Sequence, residues 1–249
     1  AKLLANFGVG YNHIDVAAAR AAGIAVTNTP GAVTEATADV ALTLMLMTAR
    51  RAGEGERLVR AGQWQGWHPT QFLGAMVSGK TVGIIGMGRI GQAIARRCHF
   101  GFGMEVLYFN RSQKTMTFPA RQVAGLTELA AQVDVLVVAT PGGAQTHHLV
   151  GAEVLAAMRP HGRVINIARG DVVDEAALIA ALEAGQIGGA GLDVYEFEPQ
   201  VPAALLARED VVLLPHLGTA ALDVRISMGM MVVDNLEAHF AGRALPNPV

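Results

Sequence analysis

Six short runs rich in Val, Ile and Leu constrain this chain more than any other feature: Val82-Gly83-Ile84-Ile85, Val106-Leu107-Tyr108-Phe109, Val135-Leu136-Val137-Val138, Val164-Ile165-Asn166-Ile167, Ala190-Gly191-Leu192-Asp193-Val194 and Val211-Val212-Leu213-Leu214. They are continuous rather than alternating, as strands covered on both faces should be. Helix-like segments lie between them at residues 90–99, 150–158 and 174–184, the last closed by Gly185 as a C-cap. Strand and helix in alternation predict an α/β fold, a doubly wound parallel sheet. Residues 34–61 read as one long helix, with Thr34 as N-cap, Glu35 and Asp39 in its early turns and Gly62 ending it. Leu44, Met45, Met47 and Thr48 leave it little purely polar face, so it is expected to lie against a second partner as a dimerisation helix. A last helix is expected over about residues 222–241, with Met228, Met231, Val232 and Leu236 at helical spacing.

Composition excludes several classes of function. The net charge of -2, with no basic stripe, argues against a nucleic-acid binder. The uncharged stretch 40–49 is bounded by Asp39 and Arg50 and is too short to span a bilayer, so no membrane partner is expected. There is no basic segment leading into an apolar one, hence no visible secretory signal. Cys98 is the only cysteine, which rules out an intrachain disulfide and suits the cytoplasm. Hydrophobic residues at 51% against 16% charged imply apolar surface hidden in an interface, and a homodimer is the expectation. Of the histidines other than His216, only His147 and His148 are close, and adjacent residues rarely face one ion together; no metal is expected.

The chemistry is carried by a glycine turn and by polar residues at the ends of the runs. Gly86-Met87-Gly88-Arg89-Ile90-Gly91 follows the first run and opens a helix, the context of a dinucleotide fingerprint. Its glycines permit a tight turn, approach of backbone to a pyrophosphate, and close helix–strand packing. After the second run the chain reads Asn110-Arg111-Ser112-Gln113-Lys114, without the carboxylate that would bind a free ribose hydroxyl. These residues can donate to a 2′-phosphate, which favours NADP with NAD as the alternative, although a solvated basic turn has the same composition. Arg169, Glu198 and His216 each follow a later run, so parallel strands would gather them on one rim. There Arg169 could grip a carboxylate, His216 could exchange a proton with a carbonyl oxygen, and Glu198 could hold the imidazole. Singly, each is equally a structural arginine, a turn carboxylate or a capping histidine.

From residue 1 to the end the chain resembles the D-isomer-specific 2-hydroxyacid dehydrogenases, and within them the glyoxylate and hydroxypyruvate reductases. The resemblance rests on Gly8-Val9-Gly10-Tyr11, Gly79-Lys80-Thr81-Val82-Gly83, Asn166-Ile167-Ala168-Arg169-Gly170 with Val173-Asp174-Glu175, Gly191-Leu192-Asp193-Val194-Tyr195 with Glu198-Pro199, and Pro215-His216-Leu217-Gly218. It implies a Rossmann cofactor domain over residues 31–218, a partial, flavodoxin-like substrate domain at 1–30, and a C-terminal helix at 219–249 returning towards that domain. It also implies a catalytic trio of Arg169, Glu198 and His216, and a substrate-binding loop at Val9 and Gly10. Cofactor contacts are implied at Gly86, Gly88, Arg89, Ile90, Gly91, Asn110, Arg111, Ser112, Thr140, Pro141, Ala168, Asp193, His216 and Gly218. Trp64 and Trp67 precede Pro69, and Trp67 is either a substrate contact supplied to a neighbouring subunit or part of a pair that packs a loop on the sheet.

Two departures qualify the resemblance. Pro141-Gly142-Gly143-Ala144 stands where many members have a Leu and a Thr after the proline. Most of the substrate domain's N-terminal part is also missing from the sequence, which is expected to be either part of a longer polypeptide or a truncated form with an open cleft. The expected reaction is reduction of a small 2-oxo acid by NAD(P)H to the D-2-hydroxy acid; the alternative is a catalytically impaired, nucleotide-sensing or scaffold dimer.

Overall fold

In the computed structural model, which describes all of residues 1–249, the chain divides into two compact units, Ala1–Thr37 with Gly218–Val249, and Ala38–Leu217. The seams fall at 37/38 and 217/218 rather than at 30/31 and 218/219. Thr37 explains the first difference: its hydroxyl donates to the Gly218 carbonyl at 3.0 Å and keeps the preceding turn with the smaller unit.

In the smaller unit, β1 (Leu3–Ala5) and β2 (Ala25–Thr27) pair in parallel, joined through α1 (Val16–Ala21), whose N-cap Asp15 accepts from the Ala18 N–H. The chain's final segment comes back to the same strands, since Val249 N–H donates to the Val26 carbonyl at 2.9 Å.

The seam between the units lies within α2 (Thr34–Arg50), and α2 is followed by a separate α3 (Ala52–Arg60). The single helix expected over 34–61 is therefore broken. Arg51 sits in the left-handed region at φ 53°, and its guanidinium turns back to Glu54 through bonds of 2.7 and 2.8 Å. The Ala49 carbonyl accepts from Ala75 N–H, and Gly53 and Gly55 are weak helix formers. Thr34 is the first helical residue rather than its cap.

The larger unit is built on β3 (Thr81–Ile85), β4 (Glu105–Phe109), β5 (Arg121–Gln122), β6 (Val135–Val138), β7 (Arg163–Asn166), β8 (Gly189–Leu192) and β9 (Val211–Leu213). They form one parallel sheet in the order β5-β4-β3-β6-β7-β8-β9. The six apolar runs are thus strands, and the two-residue β5 adds an edge that composition alone does not signal. The connections are α4 (Arg89–Phe102), α5 (Leu126–Gln132), α6 (Ala152–Ala157), α7 (Glu175–Glu183) and the short α8 (Ala203–Leu206); α9 (Leu222–Phe240) belongs to the smaller unit.

Alternate side chains of each strand enter different cores. Ile84, Val137 and Ile165 pack with Leu44 and Ile94 on one face, while Leu136 and Val164 pack with Leu129, Leu155 and Leu178 on the other. Each such side chain, fully buried, contributes about 1.5–3 kcal/mol. Cys98 lies in the first of these cores, and burial pushes its thiol up to about 12, so it is a packing residue and not a nucleophile. No helix is long and apolar enough to cross a membrane.

Register aligns the strand ends. Ile85 stands beside Phe109 and Val138, Val138 beside Asn166, Asn166 beside Leu192, and Leu192 beside Leu213. The segments that follow these residues therefore share one rim. Strand order reverses between β3 and β6, which puts the fold's ligand crevice at the carboxyl ends of those two strands.

At the opposite end of the sheet, Asp134 accepts from Thr81 N–H and from His161 Nε2, both at 2.9 Å. Burial pushes its carboxyl up, but the Thr81 bond and His161 outweigh this and hold it below the usual carboxylate range. A depressed folded-state value stabilises the fold above the unfolded value of about 4, and the contribution disappears as pH falls through the folded one. Asp134→Ala should lower unfolding stability by about 1–3 kcal/mol at pH 7. In urea titrations, the gap from wild type should narrow steadily below about pH 4.

Candidate active site

The turn after β3 is shaped by two close approaches. A Cβ at Gly86 would lie 2.7 Å from Thr140 N, and one at Gly91 would lie 2.1 Å from the Gly86 carbonyl oxygen. Glycine at both places lets the β3 end meet the β6 end and lets α4 start directly beneath the turn. Gly88 is the N-cap and offers no side-chain cap, so the Arg89 and Ile90 N–H groups have no partner in the chain. Together with the helix dipole they could receive an anion, and Gly86, Gly88, Arg89, Ile90 and Gly91 could hold a pyrophosphate.

Asn110 has a different place from the one its sequence suggests. Its Oδ1 accepts from Met87 N–H at 3.2 Å and its Nδ2 donates to the Ser112 carbonyl at 2.7 Å, so the amide braces the glycine turn. Arg111 and Ser112 remain exposed, with Arg111 donating to Gln145 Oε1 at 3.2 Å.

On the rim beyond β7, β8 and β9, buried polar groups fix the backbone. Asn166 accepts from Ala168 N–H and donates to the Arg169 carbonyl, each at 3.0 Å. Arg169 donates through Nη1 to the Ala168 carbonyl at 2.6 Å and makes no ion pair. Its aliphatic stem lies against Gly142, where a Cβ would come within 2.7 Å of Arg169 Cγ. The Pro141-Gly142-Gly143 departure therefore bears directly on how Arg169 sits.

Asp193 falls just past β8 and is 1% exposed. Its carbonyl accepts from His216 N–H at 3.0 Å and its Oδ1 from Leu217 N–H at 2.6 Å. These bonds hold His216 at φ 54°, a left-handed conformation uncommon for a residue with a side chain.

His216 Nδ1 lies 2.8 Å from Glu198 Oε2, and Glu198 Oε1 accepts from Tyr195 N–H at 3.0 Å. An ionised carboxylate only accepts, so Nδ1 carries the proton and Nε2, without a partner in the chain, is left to exchange one. Tyr195 in turn donates its hydroxyl to the Leu214 carbonyl at 3.0 Å. Burial first, then the nearby carboxylates of Asp193, Glu198 and Glu175, push that phenol up to about 12, so it acts as a strut.

The remaining candidates are more scattered. Thr140, Pro141 and Ala168 follow β6 and β7 on the same rim. Trp64 and Trp67 lie between α3 and β3 and are 55% and 79% exposed, so they do not pack a loop onto the sheet. Val9, Gly10 and Gly218 belong to the smaller unit. In that unit the carbonyls of Gly8, Val9 and Gly10 are held by Asn6, Asn28 and Thr29, which leaves the Val9 and Gly10 N–H groups without an acceptor. Sequence reasoning gave no role to Asn166, although it is the one polar residue in an apolar run. It also gave no role to Glu175, Glu196 and His148, which the fold brings together behind Glu198.

A doubly wound sheet, a glycine turn open to a pyrophosphate and a carboxylate–imidazole pair on the same rim define a nucleotide-dependent oxidoreductase. Residues 42–218 match the family described as D-isomer specific 2-hydroxyacid dehydrogenase, NAD binding domain. Glyoxylate reductase of Thermococcus gammatolerans is 46% identical over 254 residues, covering 100% of this chain and 76% of the relative. Hydroxyphenylpyruvate reductase of Plectranthus scutellarioides is 44% identical over 248 residues, covering 100% and 78%. The crystal structure of an NADPH-dependent glyoxylate/hydroxypyruvate reductase from Sinorhizobium meliloti, in complex with NADP and malonate, superposes with a TM-score of 0.94 at 45% identity, covering 100% of this chain and 77% of that one. The chain belongs to the D-isomer specific 2-hydroxyacid dehydrogenases. As such it is an enzyme that interconverts 2-oxo and D-2-hydroxy acids with a nicotinamide dinucleotide.

Proposed function

We propose that the chain reduces glyoxylate or hydroxypyruvate with NADPH, and that Arg169, Glu198 and His216 carry the reaction. The 2.8 Å bond between His216 Nδ1 and Glu198 Oε2 supports this most directly, because it fixes the tautomer and leaves Nε2 for the substrate oxygen. Bound NADPH supplies hydride to the carbonyl carbon. His216 gives the proton to the carbonyl oxygen, and Glu198 stabilises the charged imidazole before that transfer. Arg169, having no internal ion pair, holds the substrate carboxylate through its planar fork. In the smaller unit, the unpaired Val9 and Gly10 N–H groups suit a substrate carboxylate. Trp67, broadly exposed, suits the substrate pocket of a partner copy.

The cofactor groups assigned to this reading are Gly86, Gly88, Arg89, Ile90 and Gly91 at the pyrophosphate, Arg111 and Ser112 at the 2′-phosphate, and Thr140, Pro141, Ala168, Asp193, His216 and Gly218 towards the nicotinamide. Asn110 acts here by bracing the turn. Initial rates of glyoxylate reduction with NADPH and NADH test the proposal. Wild type should prefer NADPH, and Arg111→Glu should raise its KM about tenfold or more with little change for NADH. Tight NADPH binding without turnover would favour the nucleotide-sensing alternative.

The homodimer is inferred from exposed Leu73, Met76 and Phe100, at 66–68% exposure, on a chain so low in charge. Sedimentation equilibrium should give about twice 26.0 kDa. A cytoplasmic setting fits the single buried thiol, and selective permeabilisation of the source cells would test it.

A further inference from the structure

Behind Glu198, three loops of the rim are tied together by side chains that the proposed chemistry does not use. His148 comes from the loop after β6, and its Nε2 lies 2.9 Å from Glu196 Oε1 in the loop after β8. Its Nδ1 is 3.7 Å from Asp174, at the start of α7, and its own N–H donates to the Asp171 carbonyl at 2.7 Å in the loop after β7. The Glu196 N–H is in turn held by Glu175 Oε1 at 3.0 Å. One residue before Glu196, Tyr195 N–H grips Glu198 Oε1; two residues after it is Glu198 itself, bonded to His216. Glu198 is therefore fixed from the front by His216 and from behind by a turn whose own anchors are His148 and Glu175.

We propose that His148, acting through Glu196, is a positioning residue for the Glu198–His216 pair. The inference rests on the reading of that pair given above. Local geometry is built for it: His148 is held at φ 50°, a left-handed conformation that sets its ring on the same side as that of His147. The adjacent histidines thus do not point apart as their sequence suggests. Their rings stack at 3.9 Å with 25° between planes, and with Glu196 they bring one ligand atom each within 4.8 Å of the others. Stacked rings direct their in-plane lone pairs side by side rather than at one point, so the cluster suits a hydrogen-bonded brace better than an ion. The Glu196 carboxylate, with smaller contributions from Asp174 and Asp171, raises His148 above the ordinary imidazole range and so favours the charge-assisted bond.

The test compares glyoxylate reduction and amide hydrogen exchange in the 249-residue wild type, His148→Ala and His148→Gln. Gln can donate from the same reach as Nε2 without the ring. His148→Ala should lower kcat about tenfold or more, the scale set by a sub-ångström misplacement, with the NADPH KM within about twofold. Tyr195 and Glu196 amides should exchange about fivefold faster or more. His148→Gln should recover most of both. Wild-type kcat or unchanged exchange in His148→Ala would overturn the proposal, and so would equal loss in the Ala and Gln variants, which marks a plain packing role. If His148→Ala does not fold, Glu196→Ala and Glu196→Gln read the brace from its other end and should show the same split. A wild type inactive on glyoxylate and hydroxypyruvate would overturn the proposed function, and the exchange measurements alone would then decide the positioning.

Discussion

His216→Ala should lower kcat for glyoxylate reduction by about 10²–10⁴-fold while the Kd for NADPH stays within about twofold. The expected size follows from what the substitution removes. Glu198 holds His216 through Nδ1, which leaves Nε2 to exchange the proton with substrate, and no other imidazole comes from the ends of β8 or β9. Without it the proton must come from water, and Glu198 Oε2 loses its imidazole partner. The fold should survive, because the side chain is 49% exposed and the strained backbone is held by Asp193 through main-chain N–H groups that alanine retains. Equal falls in kcat and kcat/KM would mark an interaction made in the transition state, whereas a rise in KM alone would mean that His216 merely binds substrate. Fluorescence titration with NADPH gives the control. A variant that keeps kcat within about tenfold would remove His216 from the proton-transfer role.

The sheet is legible in the sequence because parallel strands covered on both faces need unbroken apolar runs, and all six runs are strands. The rim follows from that, since residues after such strands must share one edge. Short elements leave no such trace: β1, β2 and β5 have three, three and two residues and are set by their neighbours. The break after α2 is also tertiary, because the Ala49 carbonyl is claimed by Ala75 and Arg51 folds back onto Glu54. Asn110 shows the same limit at the site. Its amide can donate to a phosphate in principle, but Met87 N–H and the Ser112 carbonyl engage it, and only one of these partners is near in sequence. The brace behind Glu198 joins residues 148, 175 and 196, whose types were readable but whose meeting depends on three separate loops.

Gly170→Ala should be the most damaging methyl group that can be added to this rim. A Cβ there would lie 1.8 Å from the Tyr195 carbonyl carbon, 1.9 Å from its oxygen and 2.2 Å from Glu196 N, so it meets main chain rather than a side chain that could turn away. The loops after β7 and β8 must separate to admit it. Arg169 immediately precedes this position, and Tyr195 N–H holds Glu198, so the separation would move the guanidinium and the carboxylate–imidazole pair apart. Overpacking at such a contact should cost about 3 kcal/mol or more, measured by urea unfolding. In whatever fraction folds, kcat/KM should fall about 10²-fold, since displacements of this order at positioning groups have that effect. Gly229→Ala is the control: it lies inside α9 with nothing within 4 Å of the added methyl, and helix propensity should make it neutral or stabilising by about 0.5–1 kcal/mol. If Gly170→Ala unfolds at the wild-type urea midpoint with full activity, the two loops are not in contact. The shared backbone frame for Arg169 and Glu198 would then be wrong, while the cofactor turn at the β3–β6 crevice would stand unaffected.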